Sequence, residues 1–406
     1  MSIAEPASQG GNPQLKGRSF FLTTLPLFVV AHCFHHLLTA IPIPLLPFIR
    51  DQFNLSYTQS AFVTSAFSLA NAFSQLPGGW LADRVGPRIL ITLGILGVAI
   101  AGLLVGFSQN YILMLVFLII LGLLAGGYHP AATPLIASSV EPQQRGRALG
   151  IHLIGGNASF FLAPLIAGAI AGAWGWHASF IGLAIPTAIF GVIFVLFLSR
   201  RSSMSQSKAE RGYLEEAPPA PGYKRRIAAM LALNTLAGGA AWSVTSFLPL
   251  YAVDQFGLSE QLSASLLSII WSTGLWSGPI GGYISDRLGR APVIIISFLV
   301  RGGLVVLLSY TAWGPQYIIL LLFLGISSTI CLPVAEAFII EQTSLRNRST
   351  IYGIYYFTMG GTGAIFAPTM GQIIDKWGFQ ACFNIAGISM LAVTLISAFF
   401  FRGSQR

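Results

Sequence analysis

The chain has 406 residues, of which 54% are hydrophobic and 9% charged, with a mean hydropathy of +0.73 and a formal net charge of +9. A soluble domain carries about 25% charged residues to solvate its surface, so an ordinary water-soluble fold is excluded. The placement of the positive charge, in tails and alternate loops, argues against a nucleic-acid binder.

Twelve apolar stretches follow one another along the chain, at about 21–48, 58–82, 89–108, 111–139, 148–171, 178–199, 227–251, 262–284, 291–310, 316–340, 350–374 and 379–401. Each is long enough to cross a hydrocarbon core of about 30 Å as a helix. Backbone polar groups in that core must pair internally, which selects helices here, and the ~10-residue alternating strands of a membrane barrel are absent. The first span is too long and too rich in His and Pro for a cleaved signal peptide. Cys33, Cys331 and Cys382 fall inside spans and read as small apolar residues, with no disulfide framework.

Of the 22 Lys and Arg, 19 lie in the two tails and in every second loop, at Arg84 and Arg88, Arg145 and Arg147, 200–226, Arg287 and Arg290, and Arg346 and Arg348. The opposite loops hold Arg50 and Lys376, and Arg301 lies within a span. This asymmetry predicts an inner (plasma) membrane protein with both termini in the cytoplasm.

The sequence repeats itself at an offset of 203 residues. Asp51-Gln52-Phe53 meets Asp254-Gln255-Phe256, and Gly79-Trp80-Leu81-Ala82-Asp83-Arg84-Val85-Gly86 meets Gly282-Tyr283-Ile284-Ser285-Asp286-Arg287-Leu288-Gly289. Pro130 meets Pro333, Arg145 meets Arg348, and Trp174-Gly175-Trp176 nearly recurs as Trp377-Gly378-Phe379. The predicted organisation is a tail (1–20), a six-helix bundle (21–199), a linker (200–226), a second six-helix bundle (227–401) and a tail (402–406). The linker is polar, basic and proline-containing, as a cytoplasmic connection should be. The fold class is therefore all-α integral membrane, twelve transmembrane helices in two pseudo-symmetric bundles, with a solute site expected between them.

The segment Gly79 to Arg88 resembles the signature loop between helices 2 and 3 of the major facilitator superfamily, and its echo at Gly282 to Arg290 stands where that family repeats it. Small glycines let helix ends approach, and a surface Asp accepts bonds from helix amino termini and Arg side chains. The resemblance implies that Gly79, Asp83, Arg84 and Gly86, with Gly282, Asp286, Arg287 and Gly289, form a cytoplasmic gate, and that the protein is a carrier working by alternating access. Within the superfamily, His36 with Pro44-Leu45-Leu46, Tyr128-His129-Pro130, and Gly155-Gly156-Asn157 leading to Pro164 are similar to the fosmidomycin-resistance group of exporters. Two departures stand against a standard drug/proton antiporter: Ala163 replaces the usual Gly before Pro164, and Gly122 lies near the place of the helix-4 arginine.

Polar residues within the bilayer mark candidate function. His32, His35, His36 and Thr39 share one stripe of the first span; the family architecture sets spans 1, 4, 7 and 10 around the solute site. Span 4 adds Tyr128 and His129, span 5 adds Asn157, span 7 adds Asn234 and Trp242, and span 10 adds Glu336, the acid deepest in a span. Histidine titrates near neutrality, so this set predicts a substrate and proton site; packing or backbone hydrogen bonding is the competing role for each imidazole. His32 and His36, at i and i+4, could share an ion, but no second ligand pair accompanies them and no metal site is predicted. Arg301 reads as structural. No cofactor is expected, and the absence of a GxxxxGK[ST] loop excludes an ATP-driven pump. The partners expected are a small-molecule substrate, protons and the lipid bilayer, with no nucleic acid and a monomer sufficient. The lead reading is proton-coupled export of a small anionic or drug-like solute. The alternatives are proton-linked uptake of a small carboxylate and, from a different class, a carrier-fold receptor that binds without transport.

Overall fold

The computed structural model describes residues 20–141, 144–200, 221–343 and 345–401. The predicted tails, except Phe20, and residues 201–220 of the predicted linker lie outside the described residues, as do the side chains of Gly79, Asp83, 345–350, Tyr352 and Gly353; Arg200 and 223–226, expected in the linker, belong to helices.

Helix α1 (Phe20–Thr39) is followed by a turn and a short helix, Leu46–Phe53. The first predicted span ran unbroken to 48; Pro42 and Pro44 interrupt it, because proline lacks the N–H an interior helical turn needs. Then come α2 (Tyr57–Val85), α3 (Pro87–Gly106), α4 (Tyr111–Ser138), α5 (Arg145–Trp174), α6 (Trp176–Arg200) and α7 (Tyr223–Phe256). Helix α8 (260–288) contains one 3-10 turn, Thr273–Leu275. It leads to α9 (Arg290–Leu308), α10 (Pro315–Gln342), and a final run, Leu345–Phe401, divided at Gly378 into α11 and α12.

Nine helical stretches among the described residues are long and apolar enough to cross a membrane. Helix α2 falls short because its inner face is polar (Ser60, Thr64, Ser65, Ser68, Asn71, Ser74), α8 carries Ser263, Ser265, Ser268, Ser272, Thr273 and Ser277 and is likewise not among them, and α11 and α12 count as one stretch. The twelve helices expected from the sequence are accounted for in this way.

The 203-residue offset persists in three dimensions. Ser56 and Ser259 cap α2 and α8, their side chains accepting from Gln59 N and Leu262 N. Gly86 and Gly289, after α2 and α8, take φ of +91° and +88°, a region glycine enters without steric cost. Gly122 on α4 lies so close to α2 that a Cβ would come within 2.4 Å of the Phe67 carbonyl, and Gly325 on α10 would meet the Ile270 carbonyl of α8 at the same 2.4 Å. Such contacts are how helices associate where lipid is as apolar as any side chain. They also explain Gly122, since no arginine fits that backbone crossing.

The halves meet along two seams. Helix α2 runs against α11, where Ser65 donates to Ala364 O at 2.6 Å; α5 runs against α8, where Ser268 donates to Phe161 O at 2.7 Å. Gly122→Val or Gly325→Val should wedge α2 from α4 or α8 from α10 and destabilise by about 1–3 kcal/mol. A lowered thermal midpoint of the purified protein is the expected result, and an unchanged midpoint would show that these crossings are loose.

Candidate functional site

The α1 stripe turns its imidazoles toward α3, α4 and α5, where His32 and His35 each find a backbone carbonyl. His32 Nδ1 lies 2.9 Å from the His152 carbonyl and His35 Nδ1 lies 2.6 Å from the Gly94 carbonyl. A carbonyl only accepts, so both Nδ1 atoms carry the hydrogen and both Nε2 atoms, in neutral rings, hold a bare lone pair. His35 stacks on Tyr128 at 4.5 Å and His32 stacks on His152 at 4.2 Å. All four of these side chains are buried.

His36 and His129 are half-buried and face each other, Nε2 to Nε2, at 3.1 Å. At that distance one nitrogen must carry hydrogen and the other must accept it. His36 Nδ1 is 3.0 Å from Thr39 Oγ1, a hydroxyl that can donate or accept and so serves either arrangement. The pair therefore shares one proton. A second would set two N–H groups against each other and part the rings.

A line of aromatic rings leads from this pair into the second half. His36 packs on Phe160 of α5 at 4.8 Å, Phe160 on Trp271 of α8 at 5.2 Å, and Trp271 on Trp242 of α7 at 5.9 Å. Glu336 of α10 accepts a 2.7 Å hydrogen bond from Tyr356 of α11. Asn157 donates to Gly274 O at 3.1 Å across the α5/α8 seam. Asn234 donates to Thr358 Oγ1 at 3.1 Å, joining α7 to α11. Arg301 is buried, donates to Ser327 O at 2.8 Å and lies over the Phe298 ring at 4.9 Å. His152, Phe160, Trp271 and Tyr356 were not singled out from the sequence; the three aromatic residues look like core residues among apolar neighbours, whereas His152 is a histidine within a span like those that were named.

The two loop faces differ. At the face bearing the ends of α1 and α7, Arg50 pairs with Asp254 of the other half and with Asp51 at 2.6 Å, and Tyr57 donates to Asp254 at 2.7 Å. Asp375 at the end of α11 accepts from Tyr57 N at 2.9 Å and Thr58 N at 3.0 Å, capping the amino terminus of α2. The protein is closed at this face. The sequence signal for the latch was the Asp51/Asp254 repeat.

At the opposite face, Asp286 pairs with Arg290 at 2.6 Å, and Arg290 donates to Glu341 at 3.0 Å. Arg84 lies over Trp80 at 4.4 Å and Arg287 over Tyr283 at 4.3 Å. Each of these contacts stays within its own half. The close approach expected at Gly282 falls one residue earlier: a Cβ on Gly281 would lie 2.6 Å from Ile330 O, whereas Gly282 has nothing within 4 Å, because its α-carbon faces away from α10. Asp83 and Gly79 belong to α2, but their side chains are outside the described residues.

Two repeated helical halves, closed at one loop face around a buried polar cluster, define a multi-pass membrane transporter rather than an enzyme. The Major Facilitator Superfamily model matches residues 28–280 and 271–406, and the chain belongs to that superfamily. It is 27% identical over 383 residues to the multidrug resistance protein MdtG of Salmonella paratyphi C (strain RKS4594), covering 91% of this chain and 92% of that protein. A POT family transporter in complex with a thioalcohol-conjugated peptide has a similar fold, with a TM-score of 0.81, 15% identity, and coverage of 96% of this chain and 99% of that one. A bacterial homologue of the human lysosomal transporter Spinster, in an inward-facing occupied conformation, has a TM-score of 0.71 at 19% identity over 98% of each chain.

Glu260 sits beside the latch, in the first turn of α8 and ahead of the apolar stretch that begins at 262. Burial pushes its carboxyl up to about 7, with the Asp51 carboxylate adding to the shift and Arg50 opposing it. A carboxyl raised in the closed state favours closure once protonated. Between an ordinary value of 4.5 and about 7 the closed face holds a proton that the open face does not, so closure strengthens as pH falls through that window and weakens above it. Spin labels at 54 and 257, with the native cysteines replaced, should report a longer, broader distance on raising pH and in Arg50→Ala. Glu260→Gln should flatten the pH response, and a response that survives in this variant would assign it to another group.

Proposed function

We propose that this transporter exports a small drug-like or anionic solute in exchange for protons, by alternating access between its two halves. The observation that carries the reading is the His36–His129 pair, 3.1 Å apart on two helices and limited in that contact to one shared proton. Adding a proton separates the rings and leaves positive charge facing the space between the halves, which attracts an anion; losing it restores the contact and releases the anion. Glu336, held by Tyr356 of α11 in the same half, offers a second protonatable group. The line from Phe160 through Trp271 to Trp242 supplies flat apolar surface spanning both halves, suited to a drug-like body.

The multidrug resistance name of the Salmonella relatives supports export. The basic loops on one face support cytoplasmic termini, and the latch on the opposite face then makes the state inward-facing, as a carrier loading for export must be.

Reconstituted in liposomes and subjected to a pH jump, the protein should move a phosphonate or drug against an opposing proton flux read by an internal dye. Proton movement in the same direction as a small carboxylate would make it an uptake symporter instead. His129→Ala and Glu336→Gln should each abolish coupled transport while leaving a folded, inserted protein. Unchanged transport and proton stoichiometry in both variants would remove these residues from the mechanism.

A further inference from the structure

We infer that His32, His36 and His129 form a binding site for one divalent transition-metal ion, of the borderline class to which Zn²⁺, Co²⁺ and Ni²⁺ belong. Each of the three residues presents one ring nitrogen, and these atoms all lie within 4.8 Å of one another. The His36 and His129 Nε2 atoms, at 3.1 Å, already stand near the roughly 3.3 Å that separates two ligands of a tetrahedral ion with bonds of about 2.0–2.1 Å.

The independent observation is the state of His32. Its ring is 2% exposed, its Nδ1 hydrogen is committed to the His152 carbonyl, and its Nε2 has no hydrogen-bond partner. A buried lone pair without a donor is costly and calls for an occupant. An Nδ1–H bonded to a backbone carbonyl is also how proteins fix an imidazole to present Nε2 to a metal. Gly156 brings the α5 backbone against that edge of the ring with no side chain between: a Cβ there would lie 2.8 Å from Nε2.

The donor set selects the ion. Three neutral nitrogens suit borderline transition metals, whereas Mg²⁺ and Ca²⁺ require oxygen. Coordination needs no net loss of protons from neutral rings. The hydrogen shared by His36 and His129 moves to an Nδ1 position, leaving both Nε2 lone pairs for the metal. Three protein ligands leave the fourth position to water or to a solute donor. The inference concerns binding at the cluster and does not depend on the direction of transport.

Tag-free, full-length protein in lipid nanodiscs would be titrated with Co²⁺ and then Zn²⁺. The expected result is one Co²⁺ per chain with the intense visible bands of a tetrahedral site, displaced by Zn²⁺. Removing an outer partner of a metal ligand weakens affinity about 10–100-fold, so His36→Gln and His129→Gln should each weaken it at least that much. His177→Gln is the control, since His177 bonds Ser108 O elsewhere in the fold and should bind as wild type does. Melting curves taken without metal establish that each variant is folded. A pale octahedral spectrum, no saturable binding, or equal affinity in the folded His36 and His129 variants would overturn the site. Proton-coupled transport in metal-free liposomes is scored separately, so either proposal can fail alone.

Discussion

Hydrocarbon offers no partner to a polar group, and the internal structure of this chain follows from that constraint. Many of the serines and asparagines inside the spans turn back onto carbonyls of their own helix or of the facing one, as Ser65 does on Ala364 and Asn157 on Gly274. The histidines obey the same rule up to a point. His32 and His35 spend Nδ1 on backbone carbonyls, which fixes the rings and leaves Nε2 lone pairs that backbone carbonyls, being acceptors, cannot satisfy. The site is what remains once the backbone has been paired.

The duplicated framework and the chemistry are distributed differently. Caps, backbone crossings and the glycine turns after α2 and α8 recur at an offset of 203, so each half is built on one plan. The reactive side chains do not recur. His32, His36 and His129 face Thr235, Gly239 and Leu332 at the equivalent positions, while Glu336 answers Thr133. Imidazoles thus concentrate in the first half and a carboxylate in the second, and the aromatic line from Phe160 to Trp242 spans the seam between them. The latch is asymmetric too, for Asp375 caps α2 whereas its counterpart at 172 is glycine, packed beside Gln261.

Much of the fold was legible in the sequence because lipid imposes a one-dimensional signal: long apolar runs, alternating basic loops and a repeat of constant offset. The break after Thr39 was also written there, in Pro42 and Pro44. The site was legible as a collection, since a histidine within a span is conspicuous whatever it touches. Its pairing was not. His36 meets His129 across 93 residues and Arg50 meets Asp254 across 204, distances at which composition and periodicity carry no information. Phe160 and Trp271 escaped because an aromatic ring in a membrane helix looks the same whether it faces lipid, core or solute. His152 was overlooked although it carries the same signal as its neighbours; its carbonyl, which orients His32, belongs to the backbone and has no sequence signature.

The central claim is that the cluster consists of neutral rings in assigned tautomers, with one hydrogen shared between His36 and His129. Solid-state ¹⁵N spectroscopy of histidine-labelled, metal-free protein in bilayers at neutral pH tests this directly. The expected spectrum has Nδ1–H, Nε2-bare signals for His32 and His35, and a coupling through one hydrogen between the Nε2 atoms of His36 and His129. Doubly protonated rings throughout the cluster, or Nε2–H tautomers at His32 and His35, would contradict it.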